Sequence, residues 1–159
     1  MILTGTHPTD IQLNELLRVA EEMDFSYSEI GQSLRMEEIS AQDYAVDSYR
    51  CVLGTGEQVF ARAKEALQQW IHFDLGWVCI QAPRPTEGLT VPVCIRVFGV
   101  WTVHFCRVVY VHQSSGEEQG WCFAYGTLEQ HAEQGEDDIV AELLAELIAD
   151  AVDGAASPQ

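Results

Sequence analysis

The sequence predicts an α+β domain in which a curved antiparallel sheet packs on helices, and three observations carry that expectation. Apolar, β-branched runs follow one another at 77–82, 89–97, 100–112 and 120–128. The breaks between them, Pro83-Arg84-Pro85, Phe98-Gly99 and Ser114-Ser115-Gly116, are too short for helical crossovers, so neighbouring strands must run antiparallel. Between an earlier β-like run and this series, Val59, Ala63, Ala66, Leu67 and Trp70 recur on one helical face, giving a helix an apolar stripe to lay on the sheet.

The elements follow in order. Thr9 with Gln12 three residues on forms a capping-box pattern ahead of Ile11, Leu16, Leu17, Ala20 and Met23, so a first amphipathic helix is expected there. Residues 24–47 are polar and weakly periodic and read as an ordered surface loop. A strand over 47–53 ends at Gly54-Thr55-Gly56, and Thr55 with Gln58 repeats the capping-box pattern at the start of the helix over 57–70. After the strands, 136–152 predicts a long helix with Val140, Leu143, Leu144, Leu147 and Ala151 on one face and acidic residues elsewhere. Glu142, Glu146 and Asp150 repel slightly at four-residue spacing, so burial of the apolar stripe must hold that helix, against the sheet or against a second copy of the chain in a homodimer. The expected organisation is an N-terminal helix and loop (1–46), a single α+β domain (47–153) and a flexible tail (154–159).

A chain of 159 residues with 47% hydrophobic content suits one domain with a proper core. Its 25 acidic residues against 8 basic ones leave a net charge of −17, which repels phosphate backbones and anionic lipid. No nucleic-acid partner is therefore expected. The run 89–111 is apolar enough to suggest a membrane span, but Pro92, Arg96, Gly99, His104 and Arg107 interrupt it, and two strands with a turn fit it better. The N-terminus lacks a basic region followed by an apolar core, so a cytoplasmic location is expected. Phosphate-binding loops, dinucleotide-binding glycine fingerprints and nucleophile elbows are missing, and no cofactor is expected.

Cys51, Cys79, Cys94, Cys106 and Cys122 fall singly inside apolar runs, which argues against a disulfide framework or zinc ribbon and for reduced thiols packed as small hydrophobes. Strand alternation over 100–112 places His104, Cys106, Tyr110 and His112 on one face, where residues two apart line a surface without converging, so no metal is expected. Arg107 falls on the other face among apolar neighbours. It needs a carboxylate or other acceptor, either inside the protein or on a ligand.

Phe123-Ala124-Tyr125-Gly126-Thr127-Leu128, followed by His131, Gly135 and Glu136, resembles the signature of the family known as domain of unknown function 1990, or uncharacterised protein family 0548. Gly54-Thr55-Gly56, Trp70, Gly76-Trp77, Gly99 with Trp101, and Cys106-Arg107-Val108-Val109-Tyr110-Val111 match it in order over about 49–136, and Phe25-Ser26-Tyr27-Ser28-Glu29-Ile30-Gly31 is similar to its opening element. The resemblance implies a START-like, helix-grip sheet. It also implies a further strand pair and a basic helix after Gly135-Glu136, where this chain has Asp137-Asp138-Ile139 and an acidic run, so the family's ending is expected to be missing or replaced.

The leading functional expectation is a soluble domain that binds an apolar or amphipathic small molecule between sheet and helix, with Arg107, Tyr110, Tyr125, Thr127 and Trp101 as ligand contacts. A small enzyme such as a cyclase or isomerase is the alternative, with Tyr125, His131 and Glu136 moving protons if they face one cavity. A structural reading competes with both: Gly126 permits a bend, Thr127 bonds to the turn and Glu136 caps the terminal helix. A protein-interaction or oligomerisation module is the third class.

Overall fold

The computed structural model describes residues 2–33, 44–115, 119–129, 135–142 and 146–154. It confirms an α+β fold on an antiparallel sheet. In chain order the elements are β1 (Ile2–Thr4), α1 (Asp10–Ala20), β2 (Tyr44–Val52), α2 (Glu57–Gln68), a 3-10 turn (Ile71–Phe73), β3 (Val78–Ile80), β4 (Thr90–Val97), β5 (Val100–Ser114), β6 (Gly120–Thr127), β7 (Gly135–Glu142) and β8 (Glu146–Gly154). The sheet runs β2-β8-β7-β6-β5-β4-β3, and β1 pairs with the first part of β5, where Ile2 stands opposite Val103.

Both helices begin where side chains and backbone can satisfy their first N–H groups. At α1 the expected capping box is present: Gln12 N–H donates to Thr9 Oγ1, and Thr9 N–H donates to Gln12 Oε1 at 3.0 Å. At α2 the cap is Gly56 with no side-chain bond, so the Thr55–Gln58 pattern does not form a capping box. The φ of 94° at Gly56 explains this, because that turn is open to glycine and strained for other residues.

The two helices cover opposite faces. On one, Phe60, Ala63, Leu67 and Trp70 pack with Val78, Val91, Val93, Cys106, Val108, Trp121, Phe123 and Tyr125. On the other, Leu13 and Ala20 of α1 pack with Cys94, Val103, Phe105 and Leu128. Odd and even positions of β5 thus feed separate cores, as strand alternation requires.

That alternation breaks once. Val108 stands opposite Tyr125 and Tyr110 opposite Ala124, so Val109 is an extra, bulged residue. The bulge reverses the facing of everything after it. Val111, like Val108, packs on the α2 side, while Tyr110 shares the α1 side with Arg107. The predicted common face for His104, Cys106, Tyr110 and His112 is therefore wrong: His104 and Cys106 lie on the α2 side, Tyr110 and His112 on the other.

The predicted helix over 136–152 is also wrong, since its described residues lie in β7 and β8. β7 pairs with β6 from Gly120↔Glu142 to Gly126↔Glu136, and β8 bridges β7 to β2. Helical periodicity loses here because two strand edges, those of β6 and β2, would otherwise keep unpaired N–H and C=O groups. Leu147 stands opposite Ala141 and Cys51, whereas Leu143 and Leu144 lie outside the described residues. With no helix there, the basis for the expected helix-mediated homodimer is gone, and Glu136 is not a helix cap. Of the tail expected over 154–159, Gly154 instead ends β8 opposite Tyr44, and 155–159 lie outside the described residues. Among the described residues no helix is long and apolar enough to cross a membrane.

Candidate binding site

The motif at 123–128 forms most of β6, and its residues serve both faces. Gly126 has no left-handed φ and does not make a bend. Its role is to leave room: a Cβ there would lie 2.7 Å from Tyr27 Cζ and 2.8 Å from Cε1, closer still to the hydroxyl. The 25–31 element, expected as part of a surface loop and similar to the family's opening element, is thus laid against the motif. Phe25 bridges Leu128, Ser26 N–H donates to Thr127 O at 2.9 Å, and the Ser26 and Thr127 hydroxyls meet at 2.6 Å. Thr127 therefore secures this segment.

Arg107 is held on the α1 side by acceptors within the protein. Its Nη2 donates to the carbonyls of Ala20 and Glu21, each at 3.1 Å, and its Nε to Thr90 Oγ1 at 3.1 Å. The guanidinium also stands 5.5 Å from the Phe25 ring centroid. A cation on the C-terminal carbonyls of α1 complements the helix dipole and satisfies groups the helix cannot. Replacing Arg107 by Met, which keeps much of the stem but no donor, is expected to cost about 1.5 to 3 kcal/mol and to speed amide exchange at the end of α1. Denaturant melts with hydrogen exchange check this.

The other expected ligand contacts are dispersed. Tyr110 meets Ser33 Oγ at 2.9 Å. Trp101 packs at the α1-side core and makes an edge contact with His7, ring centroids 4.7 Å apart. Tyr125 alone lies in the α2-side core, 7% exposed. In the register it is Asp137 that stands opposite Tyr125, while Glu136 stands opposite Gly126. His131 lies outside the described residues.

What gathers around Tyr125 is an aromatic cluster. Phe73 lies 5.6 Å from it, Phe123 6.0 Å and Trp70 6.2 Å, and Trp70 meets Phe123 edge-on at 5.1 Å. Trp70, between α2 and the 3-10 turn, has a φ of 59°, a left-handed conformation costly for a large side chain, and its indole N–H donates to Pro83 O at 2.8 Å. The left-handed residue swings the chain so that the 3-10 turn closes over the cluster.

Into it projects His72, which the sequence reading did not single out. Its ring lies 4.6 Å from Phe73, 5.9 Å from Phe123 and 6.1 Å from Trp70. Both ring nitrogens are buried, with no hydrogen-bond partner among the described residues. Burial lowers its pKa from 6.5 to about 4, so the imidazole is neutral at neutral pH, with one donor and one acceptor unmet among the described residues. No spacing signal marks this residue, since its neighbours come from α2, the turn and β6.

Beside α2 runs a groove of about 460 Å³ lined by Glu57, Phe60, Ala61, Lys64, Glu65, Gln68 and Gln119. Arg84 reaches the same helix and donates to Glu65 at 2.7 Å.

The α1 side carries a second group of polar side chains. Cys79 of β3 stands opposite Cys94 of β4, and the His7 ring approaches them from the segment between β1 and α1. Burial, then the neighbouring thiol, pushes Cys94 up to about 12, and burial pushes Cys79 up as well. All five cysteines are free.

Fold and site together define an α+β domain: an antiparallel sheet with a helix on each face and an aromatic site between α2 and β6. The profile described as Domain of unknown function (DUF1990) matches residues 26–152, and the chain belongs to that family. It is 32% identical over 154 residues to a UPF0548 protein of Dictyostelium discoideum, covering 85% of this chain and 68% of the relative. It is 29% identical over 110 residues to a UPF0548 protein of Arabidopsis thaliana, covering 67% of this chain and 54% of the relative. No solved structure matches. The family match extends through β7 into β8, so the family's region continues well past Glu136 in this chain.

Proposed function

We propose that this domain binds an apolar or aromatic small molecule carrying a hydroxyl or similar polar group, taken up beside the 3-10 turn against Trp70, Phe73, Phe123 and Tyr125. The observation that carries this reading is His72, whose two buried nitrogens lack partners among the described residues within an otherwise aromatic surround. A buried polar group left unpaired costs about 1 to 3 kcal/mol, and a ligand hydroxyl that bonds to it recovers part of that. Ile71 and Leu75, both about half exposed, flank the turn and form an apolar approach. Helix-grip binding between sheet and helix is the finer form of this proposal, with α2 as the gripping helix.

The test is organic extraction and mass spectrometry of the purified protein, followed by titration of the stripped protein with the extracted compound while tryptophan emission is read. A compound with an apolar body and a polar group is expected, bound at least about tenfold more weakly by His72→Phe, since losing one buried hydrogen bond is worth about 1.4 kcal/mol or more. No extracted compound, together with no emission response to phenol or indole probes, would sink the proposal.

A further inference from the structure

We propose that His7, Cys79 and Cys94 form a binding site for a thiolate-seeking divalent ion of the zinc class, with a fourth position open to water. A ring nitrogen of His7, Cys79 Sγ and Cys94 Sγ all lie within 4.8 Å of one another. Around a tetrahedral zinc ion, with bonds of about 2.3 Å to sulfur and 2.0 Å to nitrogen, sulfur atoms sit roughly 3.8 Å apart and sulfur and nitrogen roughly 3.5 Å apart. His7 Nε2 already stands 3.3 Å from Cys79 Sγ. The three donors therefore need move by less than about 1 Å to close on an ion.

The imidazole is oriented for this task. Its Nδ1 lies 2.8 Å from the carbonyl of Pro8, and since a carbonyl only accepts, Nδ1 must carry the proton. The lone pair is then on Nε2, aimed at the thiols. A ring N–H held by a backbone carbonyl is the outer-shell arrangement that fixes the tautomer of metal-ligating histidines. Trp101, edge-on to the ring, holds it from the side.

The rest of the setting fits one ion. Cys79 and Cys94 face each other across a strand pair, which gives two sulfurs at nearly the right separation without a Cys-x-x-Cys loop. Two thiolates would balance the divalent charge. Cys94 is buried, whereas His7 and Cys79 are partly exposed, so the ion would have one sheltered side and one side facing water. Three protein ligands with water in the fourth place is the open type of zinc coordination. The site lies on the α1 side of the sheet, away from His72, and stands or falls independently of the aromatic site.

Titrating reduced, metal-free full-length protein with Co²⁺ tests this, because thiolate-bound cobalt shows a near-ultraviolet charge-transfer band that carboxylate-bound cobalt lacks. One equivalent of Co²⁺ should give the band, and Zn²⁺ should abolish it by displacement. Cys79→Ser and Cys94→Ser should each lose most of the band, and His7→Gln should weaken binding by about tenfold or more. Cys51→Ser, a control outside the cluster, should keep both band and affinity. Circular dichroism verifies that each variant is folded. If Cys94→Ser does not fold, the wild-type band and Cys79→Ser decide. A wild-type protein without a thiolate band, or a band unchanged in Cys79→Ser, would overturn the proposal.

Discussion

Acidification from about pH 7.5 to pH 5 is expected to destabilise the folded protein by roughly 2 kcal/mol through His72 alone. Its folded pKa is depressed by burial, from 6.5 to about 4. Between those values the unfolded chain binds a proton that the folded chain does not. Stability therefore rises with pH through that window and falls as pH drops through it, and below about pH 4 the loss levels off near 3 kcal/mol. For a chain of 159 residues, 2 kcal/mol lowers the melting temperature by about 4 to 8 °C. His72→Phe keeps an aromatic ring in the cluster and removes the titration. Melts of wild type and variant over this range should differ in slope by that amount, on top of the acid response of the carboxylates common to both. A His72 resonance titrating near its ordinary value in NMR would contradict the burial argument.

Gly126→Ala should destabilise by about 1 to 3 kcal/mol, the range for forcing extra atoms into packed surroundings. The added methyl meets the Tyr27 ring, at 2.7 Å from Cζ and 2.8 Å from Cε1. Tyr27 cannot yield cheaply. Its ring packs edge-on to Phe25 at 5.6 Å, and its neighbour Ser26 is bonded to Thr127. Removing the tyrosine should reverse the sign: in a Tyr27→Ala background Gly126→Ala should be neutral or mildly stabilising, since glycine in a strand interior is otherwise unfavourable. A double-mutant cycle measured by urea denaturation gives the coupling directly. Equal costs in both backgrounds would mean that the glycine serves something other than Tyr27.

The two cases show how differently the sequence bears on local and distant structure. The strands at 90–97, 100–114 and 120–127 and the helix at 57–68 were legible because each is a local pattern with its own turn or apolar stripe. The capping box at Thr9 is local too, and it formed. The family motifs were visible as words, and the structure shows that two of them meet in space: Tyr27 occupies the space that Gly126 leaves.

What failed were inferences that depend on who pairs with whom. Residues 136–152 carry a helical apolar stripe, yet the vacant edges of β6 and β2 draw them into strands, because ladder pairing satisfies backbone groups that no local propensity records. Alternation along β5 held until one bulged residue, Val109, moved Tyr110 and His112 to the other face. Arg107 was marked as needing an acceptor, but only the packing of α1 on the sheet could reveal that the acceptors are that helix's own terminal carbonyls.

By itself the sequence determined the class of fold, the strands at 78–80, 90–97, 100–114 and 120–127 with the covering helix at 57–68, and the net negative charge, because these depend on composition and short-range periodicity. The tertiary structure decided the aromatic surround of His72, the Tyr27–Gly126 contact and the meeting of His7 with Cys79 and Cys94. Each brings together residues far apart in the chain, and their proximity follows from strand order and register, which no window of sequence contains.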